Sequence, residues 1–351
     1  MLRIEQGMVE RVAHARSAAD LHDLVQNAIR LEFSTIPPYL TALLSLHPGK
    51  NREIWSIIHE VVVEEMLHMT IGCNILNAIG GTPTIAAPDF LPVYPGPLPM
   101  GIGGLTVPLE KFSLDLVRSV FMEIEEPEKP LDIPLVGGVA AATPQFATIG
   151  SFYAALKAKL GELGDAIFTG DPARQVVPLA WFGSDRSLAI TGSAAAMRAI
   201  DLIVEEGEGR PDTPFDPDGG YAHYYKFWEI AELRRIAADA SAPDGFAFSG
   251  AAIPFDAAAV WDLTPNQTLD GLDRDSLAGR RASQFSFVFT KLMHALQVTF
   301  DGSPQGFDAA MGLMFELKLA GQMLVQLPAV VNGVPTGRNA GPVFRYSLFP
   351  M

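Results

Sequence analysis

Between residues 54 and 76 apolar side chains recur at helical spacing: Ile54, Ile57, Ile58, Val61, Val62, then Met69, Gly72, Ile75 and Leu76. The two positions that complete this stripe are Glu65 and His68. An ionised carboxylate on a core-facing stripe must be protonated, paired or bound to a cation, because removing it from water uncompensated is costly. Glu-x-x-His also places two ligands one turn apart on one helical face, the arrangement that carboxylate-bridged metal sites use inside helical bundles. Glu32 adds a third group, since Ala28, Ile29, Ile36 and Tyr39 stand at the spacings that share its face. Together the three predict a metal site. The blander alternative is a solvated Glu32 at a helix kink and a buried Glu65–His68 ion pair that fixes register. His59, Glu60 and Glu64 fall off the stripe and are expected mainly on a solvated face.

Farther along, residues 203–209 offer Glu205, Glu206 and Glu208. Strict spacing from Ala199, Leu202 and Ile203 turns Glu206 inward, but Gly207 and Gly209 leave the phase loose, and a frayed acidic helix end is the alternative. His223, on the aromatic face of the next helix, either reaches the same site or is a satisfied core histidine, with equal weight. His294 and Glu316 are expected to cap, pair or face solvent. Met293, Met311, Met314, Phe315 and Met323 read as core rather than as a cofactor box. No glycine-rich phosphate loop, G-x-S-x-G elbow or paired C-x-x-C occurs, which sets aside nucleotide, serine-hydrolase and zinc-finger readings.

The elements that must position these groups are helical. Periodicity predicts a first helix over 18–46, with Pro37 and Pro38 breaking or kinking it just after Glu32. A second runs over 51–79, opened by an Asn51 cap and closed by Gly80 and Gly81. Proline and glycine then dominate 82–108. Shorter helices follow, from a Ser113 cap through Glu125, over 148–162, over about 190–206, and over 221–237 with an aromatic face. Residues 240–274 read as irregular, and two apolar-periodic segments separated by Asp301-Gly302-Ser303-Pro304 form a helical hairpin. The expected fold is all-α: one domain over 1–351, a four-helix bundle with a Pro/Gly-rich insert at about 82–147 and an additional C-terminal hairpin at about 275–327.

Composition bounds the partners. Of 351 residues 48% are hydrophobic and 19% charged, enough apolar side chain for a large core. The net charge of −15, from 40 acidic against 25 basic residues, and the lack of any Lys/Arg cluster argue against nucleic acid. No stretch approaches the roughly 18 consecutive apolar residues of a membrane span, and the first residues lack the apolar centre of a secretory signal. Cys73 is the single cysteine and reads as a small buried hydrophobe. A cytoplasmic protein, without membrane or nucleic-acid partners, is expected. Homodimer formation would fit such a protein, but no feature sets the number of subunits.

Several motifs carry a family resemblance. Leu31-Glu32-Phe33-Ser34-Thr35-Ile36-Pro37-Pro38-Tyr39-Leu40, Glu64-Glu65-Met66-Leu67-His68-Met69 and Asn74-Ile75-Leu76-Asn77-Ala78-Ile79-Gly80-Gly81 resemble the ferritin-like family of iminophenylpyruvate dimer synthases. Shorter matches follow at Glu123-Ile124-Glu125-Glu126-Pro127-Glu128, Thr148-Ile149-Gly150, 203–209, His223-Tyr224-Tyr225-Lys226-Phe227 and Ala340-Gly341-Pro342-Val343-Phe344. The resemblance covers almost the whole chain. It implies a ferritin-like four-helix bundle with a carboxylate-bridged metal pair, its ligands falling on Glu32, Glu65, His68 and the region of Glu205, Glu208 and His223. Iron, as a di-iron or mononuclear site, or manganese is the implied metal. Haem serves some relatives, and no residue here supports it.

The chemistry implied by the resemblance is oxidative coupling of aromatic 2-imino acids in bis-indole pigment assembly, so the expected function is a metal-dependent oxidoreductase acting on an aromatic or related small molecule. Tyr39, Phe152, Tyr153, Tyr224 and Phe227 would suit a planar substrate, though aromatic residues line ordinary cores as often. One position departs from the family pattern. Family members commonly place an acidic residue after Thr148-Ile149-Gly150, and this chain has Ser151, which supplies neither the charge nor the bridging geometry of a carboxylate. The alternative expectation is therefore a catalytically silent bundle that binds a small molecule or a protein. Metal storage ranks last, since nothing in the sequence marks a cage.

Overall fold

The computed structural model describes residues 6–101, 104–134, 149–184, 186, 189–210, 212–216 and 219–347. The described fold is helical, with two small β-ribbons. Helix α1 (Gln6–His14) leads into α2 (Ala18–Ser45) and α3 (Arg52–Ala78), which pack along their length. The connection 46–51 is too short for anything but an antiparallel pair.

At the start of α2 the Asp20 carboxylate accepts the Ser17 N–H at 3.0 Å and the Ser17 hydroxyl at 2.9 Å, tying down the first turn. The break expected after Glu32 does not occur: α2 runs unbroken through Pro37 and Pro38, both buried. Pro38 cannot donate to the Ser34 carbonyl, and the Tyr94 hydroxyl does so instead at 2.6 Å. An interior proline costs about 3 kcal/mol in an isolated helix; here burial from Leu31 to Tyr39 and the replacement donor offset it. Tyr94 belongs to the Pro/Gly-rich excursion, which is laid along α2 by further bonds. Arg30 donates to the Phe90 and Asp89 carbonyls at 3.1 and 2.8 Å, and Gln26 to the Thr84 carbonyl at 2.9 Å.

Asn51 holds the N-cap position of α3 as expected, but its side chain makes no capping bond. It takes a left-handed backbone (φ 46°), and its amide bridges residue 256 instead, accepting the Asp256 N–H at 2.7 Å and donating to the Asp256 carbonyl at 3.1 Å.

Helix α4 (114–125) starts at Ser113, whose hydroxyl accepts the Leu116 N–H at 3.0 Å, and contains a π-helical turn, Val117–Phe121, before its last turn Met122–Glu125. Helix α5 (Ile149–Leu163) pairs with α6 (Ser193–Gly207), and α7 (His223–Glu232) packs on α3 and α4. Helix α7 stops earlier than the sequence pattern suggests, because Leu233 adopts φ 52° and turns the chain away. Thr148 and the end of the insert, 135–147, lie outside the described residues.

Residues 233–276 are irregular apart from a ribbon of Ala237–Ala238 with Phe246–Ala247 and a short 3-10 turn, Ala257–Ala259. The predicted C-terminal hairpin is present as α8 (Leu277–Phe300) and α9 (Phe307–Leu324), with Ser276 accepting the Gly279 N–H at 2.9 Å. A β-hairpin that periodicity did not reveal follows, Pro328–Val331 with Val334–Asn339. The segment Ala340-Gly341-Pro342-Val343-Phe344 then returns over α8: Ser286 donates to the Val343 carbonyl at 2.8 Å and Phe344 packs edge-on against Phe285 and Phe289. The main apolar cluster draws on side chains from Met8 to Val343. No described helix is long and apolar enough to cross a membrane.

Candidate metal centre

Polar side chains meet inside the bundle where α2, α3, α4, α6 and α7 converge. Helix α2 contributes Glu32, α3 contributes Glu64, Glu65 and His68, the last turn of α4 contributes Glu125, the end of α6 contributes Glu206, and the first turn of α7 contributes His223 and Lys226; all are buried. Among the described residues, Glu65, His68 and His223 form a group whose ligand atoms all lie within 4.8 Å of one another, the spacing that one ion could bridge.

The two imidazoles are held alike. Their rings stack at 5.4 Å between centroids and 28° between planes. His68 Nε2 lies 2.9 Å from Glu206 Oε2, and His223 Nε2 lies 3.0 Å from Glu64 Oε2. The free oxygens of these two carboxylates are joined by Arg186, whose Nη2 stands 2.7 Å from Glu206 Oε1 and 3.2 Å from Glu64 Oε1. Lys226 adds a 2.7 Å bond to Glu64. Each ring is thereby oriented through Nε2, and both Nδ1 atoms face the remaining carboxylates. His68 Nδ1 is 3.6 Å from Glu32, and His223 Nδ1 is 3.0 Å from Glu65 and 3.5 Å from Glu125. This is how metal-binding histidines are usually fixed, one nitrogen on an outer carboxylate and the other turned to the ion.

The inner carboxylates are oriented in turn. Thr35 donates to Glu65 at 2.9 Å, Tyr39 to Glu125 at 2.5 Å, and Tyr153 to Glu32 through a short bond. Burial and the neighbouring carboxylates lift both tyrosine hydroxyls well above their ordinary range, so each stays a protonated donor.

Without an ion, the site neutralises itself with protons. Burial, and then the charge of Glu125, push Glu65 up to about 8. Burial pulls His68 down, but its contacts with Glu206 and Glu32 and the charge of Glu65 outweigh that and raise it to about 10. His223 is raised well above the usual imidazole range, because Glu125, Glu64 and Glu65 overcome its burial. Glu64 and Glu32 go the other way: burial opposes ionisation, yet His223 and Lys226 hold Glu64 low and His68 holds Glu32 low.

The donor set fits a resident metal. His223 Nδ1 is buried with no aligned hydrogen-bond partner despite its nearness to Glu65 and Glu125. An orphaned imidazole nitrogen facing carboxylates is costly unless a cation or proton sits there. Carboxylates and imidazoles without thiolate suit iron or manganese; Cys73 is buried but is not part of the group.

Of the sequence-predicted ligands, Glu32, Glu65, His68 and His223 are brought together. Glu205 is not: it faces outward on α6 and pairs with Arg210 at 2.7 Å, because one residue of helix rotates it about 100° from Glu206. The inward position belongs to Glu206, 2% exposed, as spacing from Ala199 and Ile203 indicates. Glu208 lies at the rim, partly exposed, accepting the Gly150 N–H at 2.6 Å, and burial raises it to about 8. Its carboxylate occupies the space where a Cβ on Gly150 would stand, so the motif glycine admits it. Ser151 lies in the first turn of α5 beside this contact. A pocket of about 30 Å³ opens between Glu208, Gly150, Tyr153, Glu32, Glu65 and Glu125.

Glu64, expected on a solvated face, is 4% exposed, since α3 is packed on by α2, α6 and α7 and its buried arc is wider than one stripe. Glu125 stood only within a short motif match and was not singled out as a ligand, and Arg186 carried no sequence signal. The π turn in α4 adds a residue to one turn and shifts the phase on which a periodicity argument for Glu125 would rest. Lys226 could have been found, one turn beyond His223 on the same face. His294 and Glu316 behave as expected, bonding Tyr346 at 2.6 Å and Lys291 at 3.5 Å.

Comparison with known proteins agrees with this architecture. The chain is similar to a ferritin-like protein from Caulobacter vibrioides solved by crystallography, with a TM-score of 0.59 and 21% identity, covering 93% of this chain and 97% of that one. That likeness concerns the fold. No curated protein matches the chain. A model of the ferritin-like family matches residues 25–232, a span that carries every group of the centre, and the chain therefore belongs to the ferritin-like family.

Proposed function

We propose that the protein is a metal-dependent oxidoreductase in which Glu32, Glu65, His68, Glu125 and His223 hold iron or manganese. The observation that carries this reading is the paired arrangement of His68 and His223, each oriented through Nε2 by a buried carboxylate while Nδ1 faces the inner carboxylates. Bound iron or manganese would supply one-electron redox chemistry and a Lewis-acidic coordination position. The chain's own residues orient and shield. Tyr39, Tyr153 and Thr35 aim the lone pairs of Glu125, Glu32 and Glu65, and Arg186 and Lys226 balance the outer carboxylates.

The space beside the centre, about 30 Å³, is room for a molecule the size of water or dioxygen. Dioxygen or peroxide is the co-substrate this favours. An aromatic 2-imino acid, the substrate class of the synthases the sequence resembles, would enter only if the rim of Glu208, Ile149 and Gly150 opened. The second reading, a silent scaffold, is favoured by Ser151 in place of a family acidic residue and by the ion pairs of Arg186 and Lys226, which partly satisfy the site without metal.

Metal analysis with an optical spectrum separates the two. Protein purified without chelator and reconstituted anaerobically with iron(II) is expected to retain at least one equivalent and to gain melting temperature. Protein that retains neither iron nor manganese and melts unchanged would favour the scaffold.

A further inference from the structure

A second, larger cavity lies elsewhere in the molecule. About 310 Å³ of space separates a different face of α2 and α3 from the C-terminal hairpin, and none of the residues around the carboxylate pocket lines it. Its walls run from Phe33 to Leu43 on α2 and from Phe307 to Lys318 on α9, so it extends on the order of 15 Å along the helices. The volume falls within the usual range for small-molecule sites. Met66, Met69, Met311 and Met314 contribute pliable walls that repack around a flexible guest. The mouth is apolar and open: Trp181 and Phe315, 6.1 Å apart between rings, are 40% and 55% exposed.

Positive charge is confined to one rim. Lys318 Nζ lies 4.6 Å above the Trp55 ring, and Trp55 stacks on His59 at 4.6 Å. Lys318 has no carboxylate partner among the described residues, and burial alone holds its ammonium below the ordinary range. His59 is lowered by burial and by Lys318; Glu60, which pulls the other way, is turned to Lys226 at 3.0 Å. An anion at this rim would relieve both groups.

We propose that this cavity binds a long-chain carboxylate, its alkyl chain lying in the methionine-lined channel and its carboxylate meeting Lys318 and His59. The proposal goes beyond the metal reading and uses none of its residues. An elongated apolar space with a cation at one rim suits an amphiphile better than a compact polar metabolite. Its inner walls, including Met69, Leu292 and Met311, are buried, so a second protein copy would reach only the mouth.

The test titrates laurate, dodecanol and butyrate into the full-length protein below micellar concentrations, followed by calorimetry and tryptophan fluorescence, with sedimentation velocity on the same samples. Laurate is expected to bind one to one and at least tenfold tighter than dodecanol, and butyrate not to bind. Lys318→Met should bring laurate and dodecanol within about twofold of each other. Met311→Trp, which fills the channel, should weaken laurate at least tenfold while metal content stays unchanged. If Met311→Trp fails to fold, the rim variant decides alone. Equal binding of laurate and dodecanol by the unmodified protein overturns the proposal, as does an unchanged preference in Lys318→Met. So does association with phosphatidylglycerol vesicles without binding of free laurate, or a dimer that covers the mouth and excludes laurate.

Discussion

Loading the metal-free protein with manganese(II) should expel protons, and their number follows from the geometry. At pH 7 Glu65 (about 8), His68 (about 10) and His223 (well above its ordinary range) each retain a proton. An ion bound among Glu65, His68 and His223 would be held by the Glu65 carboxylate and by the imidazole nitrogens that face it, while each Nε2–H would stay on Glu206 or Glu64. One proton leaves from each ligand, so release is expected at roughly three per ion at pH 7. By pH 9 Glu65 is already ionised, and the number falls to about two. Apparent affinity therefore rises with pH across this window. A pH-stat titration in weak buffer measures the protons, and electron paramagnetic resonance counts the bound manganese. Saturable binding with less than one proton released per ion at pH 7 would refute the argument, because it would mean that the ligands were not protonated or that the ion binds elsewhere.

Three further outcomes follow. For metal-free protein, Glu65 and His68 have raised values, so their stabilising contributions are complete below their unfolded values and are lost as pH rises through about 8 and about 10; those of Glu64 and Glu32, which are lowered, are lost on acidification. The melting temperature should thus fall between pH 7 and pH 10, and a flat profile there would contradict the electrostatic picture. Glu206→Gln should weaken metal binding about 10–100-fold by unsettling His68 and Arg186, whereas Glu205→Gln, at a solvent-facing pair, should leave it unchanged; equal losses in competition with a chelating dye would count against the assignment. Gly150→Ala would push aside the Glu208 carboxylate, the far end of a flexible and partly exposed side chain, so the cost by urea unfolding should stay within about 1 kcal/mol, the scale of the one Gly150 N–H bond it disturbs; a much larger loss would show that the carboxylate is locked in place.

What the sequence determined by itself lies mostly on α2 and α3. Long helices with a continuous apolar stripe have a defined phase, so Glu32, Glu65 and His68 could be placed on inward faces without any partner in view. The C-terminal hairpin was legible for the same reason. Tertiary structure decided the rest. It kept α2 unbroken across Pro37 and Pro38 by supplying the Tyr94 hydroxyl from a distant loop, and it buried Glu64 by packing helices on more than one side of α3. It also separated Glu206 from Glu205 and Glu208 at a glycine-loosened helix end, and it delivered Glu125, Arg186 and Lys226 from segments far apart in the chain. Periodicity tells which way a side chain points relative to its own helix. Whether a buried charge finds a counter-charge depends on groups that only the folded chain brings within a few ångströms.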